Sequence, residues 1–196
     1  MTATLSIALL VAACVGSGAT VLRGLRITFR PSAFDRIAWS FAVGLGVVGW
    51  LLFFPALGGY LDRIALGGLL GFCTLGLFFL KGETSLISSA KSPSVSTLAV
   101  AAVLATSFAL SLLEGLSPPT DADSLAYHFA LPKQFLTAGR LEFVPRALDG
   151  AVPLLLQMTY TAALALGGEK GLTLWTAVSS WGAAALLYTV ARRHLD

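Results

Sequence analysis

Charge is what this chain has least of. Only 12% of its 196 residues are Asp, Glu, Lys or Arg, against 56% hydrophobic residues and a mean hydropathy of +0.82. A soluble domain carries about a quarter charged residues, so a water-soluble globule is excluded and a membrane protein is indicated. Cysteine is nearly absent too. Cys14 and Cys73 both sit inside apolar stretches, which argues against a structural disulfide and leaves the redox compartment unread. No extended basic surface is present, as nucleic-acid binding would need. The net charge of +3 instead reflects a short arginine-rich loop. Repeats at a fixed period and low-complexity tracts are also missing.

Six charge-free windows stand out: 1–22, 37–61, 64–80, 92–113, 150–168 and 171–191. A bilayer core of roughly 30 Å needs about 20 apolar helical residues. The first, second, fourth and sixth windows satisfy this, and the third is just long enough. Pro153 and Gly167-Gly168 leave the fifth with a short apolar centre. The expected fold is therefore an all-α polytopic transmembrane helical bundle of five or six membrane helices. Four helices fill residues 1–113, a polar loop with short amphipathic helices fills 114–150, and one or two further helices fill 151–196. Window 1–22 has no basic residue before it, whereas Arg23, Arg26, Arg30 and Arg36 follow it, which favours an uncleaved anchor over a signal peptide.

Positively charged short loops remain in the cytoplasm. The 23–36 loop is then inside, and residues 114–149 are delivered to the external face. The end of the chain conflicts with this. If windows five and six both span, Arg192 and Arg193 finish outside, against the rule; if window five is re-entrant, they finish inside. Gly67 with Gly71, and Ala42 with Gly46, have the four-residue spacing that lets membrane helices approach closely.

The loop 114–149 is where the polar residues concentrate. Pro118 and Pro119 end the fourth helix for want of an N–H, and Thr120 or Asp121 can cap a new one. Leu125, Phe129 and Leu136 form an apolar stripe, with Tyr127, His128, Lys133 and Gln134 mostly off it. Pro132 is expected to split this segment in two, and Gly139 to end it, giving two short amphipathic helices on the bilayer surface. "SLISSAKSPS" reads as a plain loop between the third and fourth helices.

Asp121 and Asp123 have three competing readings. One aspartate caps a helix while the other is solvated. Alternatively, both act with His128 to offer hard oxygens and an imidazole to a divalent cation such as Mg or Mn. Or a carboxylate beside the membrane takes a proton from a hydroxyl nucleophile. Lys133, Arg140 and Arg146 are snorkelling anchors by default, and their clustering also suits a lipid phosphate. Gln157, Tyr160 and Thr161 share one helical face of window five, where polar groups turn toward a bundle interior or a wet cavity.

Three stretches together, "PPTDADSLAYHFALPKQFLTAGRLEFVP", "VPLLLQMTYTAALALGGEKG" and "LLYTVARRHL", resemble the N-terminal part of polytopic GT-C glycosyltransferases, the protein mannosyltransferase-like and aminoarabinose transferase-like enzymes. The likeness covers roughly residues 117–195 and lies in the order of features rather than in any one motif. It implies that Asp123 or Asp121 is the catalytic base on an external acceptor, with the sugar donated by a polyprenyl phosphate. Tyr127 and His128 would line the pocket, and Lys133, Arg140 or Arg146 would meet the lipid phosphate. It also implies a bacterial-type inner membrane and a longer parent protein. The chain departs from the pattern in three ways. Asp-x-Asp replaces the usual adjacent Asp-Glu, Gly150-Ala151-Val152 stands where a lysine often precedes the proline, and three additional helices come first. The rival expectation is a non-catalytic membrane subunit or transporter fragment.

Overall fold

The computed structural model describes residues 1–27, 32–80, 95–120, 125, 128–145 and 155–195. These are helical with no strand among them: α1 (Ala3–Gly24), α2 (Ala33–Leu57), α3 (Arg63–Thr74), α4 (Val95–Leu116), α5 (Ala130–Ala138) and α6 (Leu155–Leu195). A 3-10 segment, Leu75–Leu80, prolongs α3. Five helical stretches are long and apolar enough to cross a membrane, which bears out the all-α bundle. The Ser-rich loop expected between the third and fourth helices lies outside the described residues.

Local chemistry sets the helix starts. Thr2 accepts from the Leu5 N–H, Ser32 and Asp35 form a reciprocal capping box, and Asp62 accepts from Ile64 and Ala65. Each cap satisfies amide donors that the first turn leaves without a partner.

The helix α1 forms the middle of the bundle, packing on α2, α3 with its 3-10 extension, and α6. Leu10, Ala13 and Cys14 on it are fully buried. Its contact with α2 is made by Gly18 and Gly44: a Cβ on Gly44 would run into the Cys14 carbonyl, and one on Gly18 into the Ser40 carbonyl. Gly16 and Gly76 bring the 3-10 segment equally close. The spaced pairs singled out in the sequence do not make these contacts. Gly46 and Gly71 have open space, and Gly67 meets only the tip of Leu166. Four-residue spacing marks a small-residue face, but not whether another backbone lies against it.

Two ends of the bundle can be told apart. At one, Arg23 lies over the Phe79 ring, Phe34 packs edge-on against Tyr188, and Arg192 pairs with Asp35. At the other, Trp50, Phe53 and Phe54 form an aromatic cluster with Trp50 and Phe54 exposed. Phe34 and Phe54 are twenty residues apart on α2, about 30 Å at ~1.5 Å per residue. That separation matches a bilayer core bounded by aromatic belts.

The last apolar windows are the two arms of one folded-back element. At Gly168 the backbone takes φ 68° and ψ −165°, a conformation that only glycine adopts readily. Trp175 on the second arm donates to Thr159 on the first; in a straight helix these residues would be about 24 Å apart. The first arm, 155–167, is about 20 Å long, too short to cross. Its start abuts Gly49 of α2, roughly 8 Å below Phe54 along the helix. Its end, Gly167, meets Ala3 and Ser6 at the start of α1. Upstream, the Leu141 N–H donates to the Ala56 carbonyl at the far end of α2. Residues 141 and 167 thus lie at the same end of the bundle, while the second arm, 169–195, runs to the arginine end. Of the two alternatives for window five, the structure has the one in which the chain returns.

Two expectations for the polar loop need correction. Pro132 does not break the segment: it is buried in the first turn of α5, where a missing N–H costs nothing. Of the expected stripe, Phe129 and Leu136 are partly buried against the core and Leu125 is exposed, while the fully buried face of α5 is Leu131, Pro132 and Phe135. Gly139 does end the helix, at φ 70°.

Candidate functional site

Three of the residues singled out from the sequence come together at the end opposite the arginines. Gln157 Nε2 lies 3.2 Å from His128 Nδ1, and the Tyr160 ring stands edge-on to both His128 and Phe129. The Tyr160 hydroxyl meets the Thr176 side chain on the long arm. With the Gln157 amide as donor, His128 Nδ1 is the acceptor.

The polar side chains of the short arm are buried. Gln157, Thr159, Tyr160 and Thr161 are each at most 6% exposed. Thr161 donates back to the Gln157 carbonyl, and Thr159 to the Leu156 carbonyl while accepting from Trp175. One polar atom is left over: Gln157 Oε1 is buried with no hydrogen-bond partner among the described residues. A buried amide oxygen without a donor costs free energy of about 1–3 kcal/mol, and a hydroxyl or a water would satisfy it.

The expected basic residues do not join this cluster. Lys133 and Arg140 are exposed, and neither forms an ion pair among the described residues. Asp121, Asp123, Tyr127 and Arg146 lie outside the described residues, and so does any capping by Asp121. The first described residue of a regular helix after them, Ala130, begins α5 with no side-chain cap. No group of three or more metal-ligating side chains occurs among the described residues. The described chain on either side of the aspartates, Thr120 and His128, lies at the same end as the Gln157 cluster.

Next to the cluster, a cavity of about 340 Å³ opens between the end of α4 and the long arm of α6. Phe129 and Thr176 line it and also touch Tyr160, so cavity and cluster share a wall. Glu114 is its charged lining residue. Sequence reasoning passed over this cavity. The signal was there, in Thr173, Thr176 and Ser180 at helical spacing inside an apolar window, but nothing in one strand of text says that α4 packs beside them. Compared with known protein families, curated proteins and solved structures, the chain matches none of them.

Proposed function

We propose that this chain is the N-terminal part of an integral membrane glycosyltransferase of the GT-C type, which moves a sugar from a polyprenyl-phosphate donor to an external acceptor. The observation that supports it best is the pairing of His128 with Gln157, with the Gln157 carbonyl oxygen buried and unpartnered among the described residues. An acceptor of that kind suits a sugar hydroxyl, because a polar site discriminates by the bonds it leaves unmade. By the positive-inside rule the arginine end is then cytoplasmic and the cluster external, and on this reading the membrane is a bacterial inner membrane. On this reading Asp123 or Asp121 takes the proton of the acceptor hydroxyl as it attacks the anomeric carbon, and the lipid phosphate departs with the bonding electrons. On the same reading Lys133 and Arg140, which are exposed, would meet that phosphate.

The test is transfer in membrane vesicles containing the product of the complete reading frame. Radiolabelled polyprenyl-phosphate mannose and polyprenyl-phosphate aminoarabinose serve as donors. Asp121→Asn and Asp123→Asn, singly and together, are expected to abolish transfer without changing membrane insertion. Undiminished transfer in all three variants would remove the aspartates from the reaction. No transfer by the unaltered protein from either donor would favour the non-catalytic subunit.

A further inference from the structure

The cavity beside α4 has a chemical sign that its size alone does not reveal. The Thr173 hydroxyl donates to the Gly115 carbonyl at 2.6 Å, Thr176 to Leu172 at 3.1 Å, and Ser180 to Thr176 at 2.9 Å. Ser117 donates to Leu113 at 3.0 Å. A hydroxyl has one proton and two lone pairs, so these four groups have committed their protons to backbone carbonyls. What these four turn to the cavity is lone pairs, while Ser111 and Thr120, which also line it, keep their hydroxyl protons. Glu114 adds a carboxylate that forms no ion pair or hydrogen bond among the described residues. The wall is also the C-terminal end of α4, where the helix dipole is negative. Pro118 and Pro119, which follow, supply no N–H to offset it.

We propose that this cavity is a receptor for a primary ammonium group. Thr173, Thr176 and Ser180 stack along one face of the long arm and present successive acceptors, and an ammonium has three N–H donors to match them. Glu114 supplies the countercharge and the Phe129 ring an electron-rich wall. The volume is about ten times a water's share of roughly 30 Å³. It therefore suits an organic amine better than a bare ion. A phosphate would instead face the Glu114 carboxylate and the negative end of α4. The ammonium has two sources with the same chemistry, a free small amine or the headgroup of phosphatidylethanolamine in the adjoining leaflet. The proposal stands independently of the sugar-transfer reading, because none of its residues is assigned there.

The experiment uses the purified full chain in phosphatidylcholine nanodiscs, titrated with ethanolamine, choline and inorganic phosphate and followed by saturation-transfer NMR. Ethanolamine is expected to bind, choline at least about tenfold more weakly because it has no N–H, and phosphate not at all. Glu114→Gln should weaken ethanolamine by about tenfold, and Ser180→Ala by a few-fold. In a second arm, native mass spectrometry of protein taken from mixed phosphatidylethanolamine and phosphatidylcholine vesicles reads lipid retention. Retained phosphatidylethanolamine that is lost in Glu114→Gln identifies the lipid as the source, and ethanolamine binding without such retention identifies a free amine. Equal binding of ethanolamine and choline, or both readouts unchanged in Glu114→Gln, overturns the proposal, as does the absence of ethanolamine binding and lipid preference together. Glu114 makes no bond whose loss would unfold the chain, and Ser180→Ala checks the site from the other wall.

Discussion

Arg192 Nη2 lies 2.8 Å from both carboxylate oxygens of Asp35, so the last helix ends where the second begins. The Asp35 side chain is 5% exposed and that of Arg192 40%. Tyr188 lies beneath the guanidinium and in turn packs on Phe34. Asp35 also accepts from the Ser32 N–H in the capping box. One carboxylate therefore starts α2 and anchors α6.

Removing the guanidinium leaves a buried carboxylate without its counter-ion. Arg192→Met is expected to destabilise the protein by about 1–3 kcal/mol, below the full figure for a buried pair because the arginine is partly solvated. Asp35→Ala, which also removes the cap, should cost more. Asp35→Asn with Arg192→Met should cost less than the two single changes summed. Thermal unfolding in detergent, read as a double-mutant cycle, checks this. Strict additivity would mean that the pair carries no coupling.

Thr159 and Trp175 hold the two arms of α6 together. Trp175 is fully buried, so Thr159→Val strands its indole N–H at a cost of about 1–3 kcal/mol, while Thr159→Ser keeps the acceptor and should be nearly neutral. Gly168→Ala forces a side chain into a region of φ/ψ reserved for glycine and should cost a similar amount. Unfolding midpoints of the three variants decide it. A Thr159→Val protein as stable as the parent would mean the bond contributes nothing.

The folded-back arm makes a topological prediction. Single cysteines at positions 140 and 170 should react with a membrane-impermeant thiol reagent from one side of intact cells, and a cysteine at 194 only after permeabilisation. Native Cys14 and Cys73 are buried and give little background. Labelling of 140 and 194 from the same side would show that residues 155–167 cross the membrane after all.

The four N-terminal windows were legible because apolar length alone decides whether a helix can span, and α1 to α4 fall close to the windows marked by missing charge. Pro132 was misread because a proline breaks a helix only in its interior, and its rank in the turn depends on where α5 starts, which the sequence does not mark with a cap. Gly18 and Gly44 were missed for a different reason: glycine is common in membrane helices, and only the partner backbone turns it into a contact. His128 and Gln157, 29 residues apart, were each noticed for polarity but could not be paired from the text.

Composition and the spacing of charge by themselves determined that this chain is a bundle of membrane helices with a polar loop after the fourth, because hydrocarbon admits few other backbones. The sidedness of the last helix was left to the tertiary structure. Gly168 turns the chain back, the short arm buries its hydroxyls and amide between neighbours, and Arg192 returns to Asp35. Those contacts join residues far apart in sequence, and the pairing energy that selects them exists only once the helices have packed.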